Sequence, residues 1–212
     1  MRQVEIGASG RRVGALGFGC WRFLGHDLAQ AETLVETALD QLRLDRLQVV
    51  PTGQAWHKSR PLTDAVHRVA MAHLAFDDLP RVRIDTREIA RAGPSYTVDT
   101  LRELRGEYPR AELFLIIGQD QAQALPSWHA WEQVVALATI CVAERADATA
   151  AAITRFQAPE GLQRRFLQLQ LPLSDTSATD IRHRASSGQG IVPLVGEPVA
   201  RYIVLHRLYQ ST

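Results

Sequence analysis

Apolar runs of strand length alternate along the chain with segments whose apolar residues recur every three to four positions. The longest run, Leu-Phe-Leu-Ile-Ile at 113–117, is typical of a strand buried on both faces of a parallel sheet. Shorter apolar runs predict further strands at 11–17, 47–51, 82–84, 139–143 and 168–171. The helical period predicts helices over 31–42, 63–74, 97–108, 128–138, 179–186 and 198–206.

This alternation of strands and helices predicts an α/β fold, a Rossmann-like doubly wound parallel sheet with helices on both faces. The first strand, the first helix and the second strand make its opening βαβ unit. We expect a single domain over 1–212, with a small helical C-terminal portion over about 176–212. The Ala-rich stretch 147–163 is interpreted as a variable loop or a weak helix over the site.

The helix over 63–74 can be predicted in more detail. Thr63 is its N-cap candidate, because a side-chain oxygen there can accept from a free backbone N–H of the first turn. One face of this helix is expected to carry Val66, Val69, Ala70 and Leu74.

Composition describes an ordinary globular chain. Its 212 residues are 46% hydrophobic and 22% charged, which is enough to build a proper core. A net charge of +1 gives no general electrostatic reason to expect nucleic acid or an anionic membrane as partner. Cys20 and Cys141 are too few for a disulfide framework or a metal site, so a reducing cytoplasm is expected. No apolar stretch approaches the roughly 18 residues of a membrane span.

The run at 113–117 leads directly into residues suited to ligand binding. Ligands of open α/β sheets gather at the carboxyl ends of the strands. Gly118 lets backbone approach a ligand, and Asp120 can accept hydrogen bonds from sugar hydroxyls. Trp128 offers a flat apolar face that suits stacking on a heteroaromatic ring. Taken alone, Trp128 and Trp131 are more simply explained as core residues three apart on a helix.

A second candidate lies at 176–182, which has the form of a helix start. Ser177 and Thr179 supply hydroxyls there, and Arg182 follows about one turn inside the helix. A helix N-terminus is a ready anion site, and Arg adds charge with a fork geometry. An ordinary capped helix with an exposed Arg is the alternative interpretation.

Four blocks, at 49–58, 93–101, 113–131 and 176–182, resemble those of the bacterial nicotinate mononucleotide adenylyltransferases in order and spacing. The blocks include Val-Val-Pro-Thr-Gly, Gly-Pro-Ser-Tyr-Thr, Leu-Pro-Ser-Trp and Ser-x-Thr-x-x-Arg, and the resemblance runs from about 44 to 209. It implies an adenylyltransferase of NAD biosynthesis that joins nicotinate mononucleotide to the AMP part of ATP, with Mg²⁺ accompanying ATP. The products would be deamido-NAD and pyrophosphate.

The resemblance also implies roles for particular residues. On the acceptor side, Thr97 and the backbone of His129 would bind the nicotinate carboxylate while Trp128 stacks on the ring. On the ATP side it implies phosphate contacts for the residues Lys58, Ser177, Thr179 and Arg182, with Gly17 and Gly118 also assigned to ATP binding. Taken without the family, Lys58 is part of a solvated basic turn, and Ser95 or Thr97 is an ordinary N-cap.

The chain departs from this family at 17–30. The family carries Gly-Gly-Thr-Phe-Asp-Pro-x-His-x-Gly-His after its first strand, and the two histidines contact the ATP phosphates. Here only Gly25 and His26 match in register, and Phe23 stands where the first histidine should be. Either a frame or sequence error has altered this segment, or the chain is a genuine variant with weakened catalysis. His26 is as well explained as a surface histidine as a catalytic one.

Two other functions stay open. A related nucleotidyltransferase could take another acceptor, such as phosphopantetheine, although Trp128 and the 95–97 segment favour a pyridine ring. A catalytically impaired homologue could keep the acceptor pocket without the ATP-activating histidines. The sequence leaves open whether the protein forms a homo-oligomer.

Overall fold

A single parallel sheet organises the protein. The computed structural model describes residues 12–16, 28–53, 63–144, 156–171 and 178–210. In this part of the chain, six strands follow the order β3-β2-β1-β4-β5-β6, and every neighbouring pair is parallel. The strands are β1 (Arg12–Leu16), β2 (Arg46–Val49), β3 (Val82–Ile84), β4 (Glu112–Gly118), β5 (Thr139–Glu144) and β6 (Phe166–Gln170). The predicted doubly wound α/β fold is confirmed.

Helices connect the strands and extend beyond the last of them. They are α1 (Leu28–Gln41), α2 (Ala65–Phe76), α3 (Arg87–Ala90), α4 (Thr97–Glu107), α5 (Gln119–Ala124), α6 (Trp131–Leu137), α7 (Ala178–Ser186), α8 (Val192–Val195) and α9 (Glu197–Leu205). Short 3₁₀ turns occur at Leu125–Ser127 and Gln163–Arg165. Each predicted helix is found, with ends that differ by a few residues. Among the described helices, none is long and apolar enough to cross a membrane.

The central strand β4 is buried on both faces, as its apolar run predicts. Leu113, Leu115 and Ile117 pack into one buried cluster with residues of α4, α5 and α6. Phe114 and Ile116 point to the opposite face and pack with residues of α1, α2 and the C-terminal helices. The side-chain alternation of a strand therefore places one helical layer on each side of the sheet.

The C-terminal helices share the core of the opening βαβ unit. Ile181 of α7 and Val199 and Ile203 of α9 belong to the same buried cluster as Val35 and Leu39 of α1. This shared core supports the expectation of a single domain over 1–212, which stays a prediction. Of the stretch interpreted as a loop or weak helix at 147–163, residues 147–155 lie outside the described residues, 156–162 form neither helix nor strand, and a 3₁₀ turn begins at Gln163.

The N-cap predicted at Thr63 is wrong, and the apolar residues expected on one face of α2 do not form its buried face. The helix begins at Ala65 after an N-cap at Asp64, and no side chain caps it. Its buried residues are Arg68, Met71, Ala72, Ala75 and Phe76, whereas Val66 is 62% and Leu74 40% exposed. The physical reason is that Arg68 turns inward, where its Nε donates to the Thr63 carbonyl at 2.9 Å. The buried face of α2 is therefore the face that carries Arg68, and Val66 lies outside it.

The strand order fixes where a ligand can bind. The winding of the sheet reverses between β1 and β4, which are paired from Arg12 to Leu16. A crevice opens at such a reversal, outside the carboxyl ends of the two strands. Gly118 ends β4 at this edge and is paired with Ala143 of β5. The candidate residues that follow β4 are thus placed at the switch point of the sheet.

Candidate active site

The segment 93–97, which we term the acceptor loop, leads into α4. Tyr96 is the N-cap of α4, and no side chain makes a capping hydrogen bond. Thr97 begins the helix and is 8% exposed, and Ser95 is fully buried with its hydroxyl 3.4 Å from the Glu88 carbonyl. The interpretation of Ser95 or Thr97 as an ordinary N-cap is therefore wrong. Ser95 holds the loop to α3 instead.

Trp128 lies on a loop and not on a helix. The 3₁₀ turn at Leu125–Ser127 ends at Trp128, whose backbone N–H donates to the Leu125 carbonyl at 2.9 Å. The next helix begins only at Trp131, because Ala130 adopts a left-handed conformation with φ of 50°. The predicted helix over 128–138 therefore starts three residues late, and Trp128 and Trp131 are not successive residues of one helix face. We call 125–131 the tryptophan loop.

One aromatic contact brings the acceptor loop and the tryptophan loop together. The rings of Tyr96 and His129 have centroids 4.3 Å apart and planes inclined by 33°. His129 is exposed, and Trp128 is half-buried with its ring packed against the cluster beneath α4 and α6. Thr97, which follows Tyr96, and Trp128, which precedes His129, are thereby brought to the same region of the protein.

Gly118 and Asp120 lie where β4 passes into α5. Gly118 is the N-cap residue of α5 with an extended backbone, and Asp120 is an exposed residue of its first turn. An acidic side chain in a first helical turn is favoured by the helix dipole. Asp120 also faces the solvent at the edge where ligands of this fold bind.

The candidate phosphate site on α7 is partly described. The Arg182 guanidinium donates through Nη2 to the Thr179 hydroxyl at 3.0 Å. Thr179 is exposed and Arg182 half-buried, so the pair combines a fixed cation with access from solvent. Gly17, His26, Lys58 and Ser177 lie outside the described residues.

A buried carboxyl group that sequence reasoning missed lies beneath the acceptor loop. Glu88 of α3 is 4% exposed, and its Oε1 accepts from the Thr100 hydroxyl at 2.8 Å. The guanidinium of Arg91 lies 3.4 Å from the same hydroxyl and donates to Glu103 at 2.6 Å. The local signal was the charged set Arg87, Glu88 and Arg91, just before the Gly-Pro-Ser-Tyr-Thr block.

Burial dominates the electrostatics of this group. It raises the pKa of the Glu88 carboxyl above its ordinary value, while the Thr100 hydroxyl, the Arg91 charge and the Gly53 backbone N–H act in the opposite direction.

Burial does not decide the direction in which the pKa of Arg87 shifts. Burial opposes its charge, but its hydrogen bonds to Glu107 and Asp85 outweigh that effect and raise the guanidinium pKa.

Comparison with known proteins decides the family. The family model of the cytidylyltransferase-like proteins matches residues 32–184. A "Probable nicotinate-nucleotide adenylyltransferase" of Albidiferax ferrireducens is 55% identical over 178 residues, which cover 84% of this chain and 89% of that protein. A protein of the same name from Methylibium petroleiphilum is 41% identical, covering 83% of this chain and 84% of its own. The chain belongs to the nicotinate-nucleotide adenylyltransferase family.

Solved structures agree with this family in fold. The nicotinic acid mononucleotide adenylyltransferase of Plasmodium falciparum complexed with NaAD superposes with a TM-score of 0.69 at 17% identity. The match covers 94% of this chain and 97% of that one. The same enzyme complexed with APC gives a TM-score of 0.68 at 15% identity, with the same coverage. The Rossmann-like architecture predicted for the family is thereby confirmed.

Proposed function

We propose that this protein transfers the adenylyl group of ATP to nicotinate mononucleotide, forming deamido-NAD and pyrophosphate in NAD biosynthesis. The contact between Tyr96 and His129 carries the proposal, because it joins the two loops that would hold the pyridine ring. Membership of the nicotinate-nucleotide adenylyltransferase family supports the same reaction. We also propose that the protein is located in the cytoplasm.

The reaction needs no covalent nucleophile from the protein. A phosphate oxygen of nicotinate mononucleotide attacks the α-phosphorus of ATP, and the bond from that phosphorus to the bridging oxygen of the β-phosphate breaks. Pyrophosphate leaves with the bonding electrons. The protein has to hold two polyanions in line and to stabilise the charge that develops on the transferred group.

Three residues would hold the acceptor base. Trp128 supplies a half-buried indole for stacking on the pyridine ring. Thr97 begins α4 directly after Tyr96, whose ring contacts His129, so we assign the Thr97 hydroxyl and the backbone N–H of His129 to the nicotinate carboxylate. Asp120, exposed after β4, would accept from a ribose hydroxyl.

The ATP side would be built from cationic and backbone donors. Arg182, oriented by Thr179, would contact the phosphates, together with Ser177 and the N-terminus of α7. Lys58 and His26 would add positive charge at the reacting phosphates. Gly17 and Gly118 would let the nucleotide approach the backbone at the switch point between β1 and β4.

Mg²⁺ would accompany ATP. This ion is usually held by substrate phosphates, water and one or two carboxylates rather than by a cage of protein ligands. Among the residues that the structure describes, no group of three or more His, Cys, Asp or Glu is placed to hold a metal. Its chemistry would be to neutralise charge on the phosphates during transfer.

The test is pyrophosphate release by the purified protein with ATP and nicotinate mononucleotide together and with each omitted. Deamido-NAD should appear as the product by mass spectrometry. Nicotinamide mononucleotide and phosphopantetheine, offered as alternative acceptors, should react more slowly. A faster reaction with phosphopantetheine would assign the protein to another acceptor.

A second candidate function is a nucleotide-binding homologue with impaired catalysis. It is favoured by Phe23, which stands where the family has its first histidine. This candidate predicts that nicotinate mononucleotide and ATP bind while pyrophosphate is released slowly or not at all. Calorimetric titration with each substrate, together with the pyrophosphate assay, distinguishes the two functions, because only the impaired homologue would bind both substrates without turning them over.

A further inference from the structure

We propose that Glu88 is a positioning residue for the acceptor loop, which it holds through Thr100 and through its own backbone carbonyl. The inference rests on the proposed function, because it assigns Glu88 to the binding of the acceptor. Glu88 itself is buried and is not placed to touch the substrate. Glu88 would influence acceptor binding only by holding Ser95 and Thr97 in place.

The first link fixes the start of α4. Thr100 lies one turn after Thr97, and its hydroxyl donates to Glu88 Oε1 at 2.8 Å. Thr100 is 4% exposed, as is Glu88, so water does not compete for this hydrogen bond. The bond therefore sets the rotation of the first turn of α4, on which the Thr97 hydroxyl depends.

The second link fixes the loop itself. The Ser95 hydroxyl lies 3.4 Å from the Glu88 carbonyl, and the backbone of Gly53 packs against both residues. A Cβ at Gly53 would lie 2.0 Å from the Glu88 carbonyl oxygen and 2.6 Å from Ser95 Oγ, which leaves no room for any side chain. Glycine is thus required here by close approach of the chain. Glu88 joins the loop after β2 to the acceptor loop.

An outer set of ion pairs holds α3 against α4. Arg91 donates to Glu103 at 2.6 Å, and Arg87 donates to Glu107 at 2.9 Å and to Asp85 at 2.7 Å. Arg87 and Arg91 are largely buried, so these pairs are less screened than ordinary surface pairs. They keep Glu88 beneath the loop.

The chemistry of the acceptor explains why this arrangement suits the site. Nicotinate carries a negative carboxylate, and a second negative charge below its binding loop would oppose it. Burial raises the pKa of Glu88 because it disfavours the charged form, and the Arg91 guanidinium offsets the negative charge of the ionised form. Glu88 can therefore anchor the loop at a reduced electrostatic cost to an anionic ligand.

The test compares Glu88→Ala, Glu88→Gln and Thr100→Val with the unaltered protein by calorimetric titration. We expect Glu88→Ala to weaken the binding of nicotinate mononucleotide by about ten- to a hundredfold, as displacement of a positioning group does, with ATP affinity nearly unchanged. Glu88→Gln keeps an oxygen for Thr100 and should largely restore the affinity. Thr100→Val removes the donor at similar volume and should weaken acceptor binding even if Glu88→Ala does not fold.

Val199→Ala is the control, because it opens a cavity in the core on α9, away from both loops. It should lower the midpoint of thermal unfolding without changing either affinity. A Glu88→Ala protein with reduced stability or binding stoichiometry but unchanged acceptor affinity would show that Glu88 is only structural. If the unaltered protein binds ATP but no nicotinate mononucleotide, the proposed function fails and the role of Glu88 fails with it.

Discussion

The ring of Tyr96 lies against the imidazole of His129, with centroids 4.3 Å apart. Tyr96 immediately precedes the first residue of α4, and His129 lies between Trp128 and the left-handed Ala130. The contact therefore joins two loops that are far apart in sequence.

This relationship gives the first prediction. Tyr96→Ala should weaken binding of nicotinate mononucleotide by about tenfold, because an aromatic pair contributes roughly 0.5–1.5 kcal/mol beyond its buried area. Tyr96→Phe keeps the ring and should bind like the unaltered protein. Isothermal titration of both variants with nicotinate mononucleotide checks this, and equal affinities for Ala and Phe would remove the ring contact from the site.

Trp128 gives a spectroscopic prediction. Nicotinate mononucleotide should quench tryptophan fluorescence, because the pyridine ring would stack on the half-buried indole. Trp128→Ala should abolish the response, although three other tryptophans remain among the four in the chain. Trp131→Phe, on the first turn of α6, is the control and should keep the quenching. Undiminished quenching in Trp128→Ala would exclude this residue from the acceptor site.

Arg182 is predicted to act on ATP and not on the acceptor. A charged hydrogen bond to phosphate contributes about 1.5–3 kcal/mol, so Arg182→Ala should weaken ATP binding by roughly ten- to a hundredfold. Arg184→Ala removes an exposed charge from the same helix and serves as the matched control. Calorimetric titration with ATP measures both affinities. An equal loss of ATP affinity in the two variants would mean that Arg182 contributes to ATP binding only through the net charge of the protein.

How far the sequence predicts this fold depends on the range of the interactions. The apolar run of β4 and the first βαβ unit are local patterns, and they predicted the parallel sheet correctly, whereas the strand order, and with it the switch point between β1 and β4, comes from the structure. The buried face of α2 could not be predicted from local pattern, because Arg68 turns inward and its Nε is satisfied by the Thr63 carbonyl. A periodicity rule treats such an arginine as a solvent-facing residue.

The candidate site shows the same division. Blocks of adjacent residues identified Thr97, Trp128 and Arg182, whose assigned roles stay predictions. The pairing of Glu88 with Thr100 and the packing of Gly53 on Ser95 join separate segments, and no spacing rule reveals such contacts. The late start of α6 was missed for a further reason, since nothing in an alanine indicates the left-handed backbone of Ala130.

The raised pKa of Glu88 predicts a pH-dependent stability. Burial raises it and the nearby Asp85 adds to the shift, whereas the Thr100 hydroxyl, Arg91 and the Gly53 N–H oppose it. Below the ordinary carboxyl value of 4.5 the group is protonated in both the folded and the unfolded chain. Above it the unfolded chain releases its proton first, so the unaltered protein loses stability as pH rises through the folded-state value.

Glu88→Gln removes this titration. The free energy of unfolding of Glu88→Gln, relative to the unaltered protein, should therefore increase as pH rises above the ordinary carboxyl value of 4.5. Urea unfolding of both proteins at several pH values measures the difference. A difference that stays constant with pH would show that burial does not shift this group.

The last prediction concerns 17–30, where the chain departs from its family. If this segment is the only lesion in an adenylyltransferase, the protein should bind both substrates and turn over slowly, since losing a preorganised donor at the transferred phosphate costs about 10²–10³ in rate. Replacing 17–31 with a stretch that carries Gly-Thr-Phe-Asp-Pro-Pro-His-x-Gly-His should restore pyrophosphate release that depends on nicotinate mononucleotide.

The same replacement with both histidines changed to alanine is the control, and it should bind substrates without the gain in rate. A repaired protein that binds both substrates and stays inactive would mean that the other blocks serve a different reaction, and full activity in the unaltered chain would show that the first histidine of the family is dispensable here.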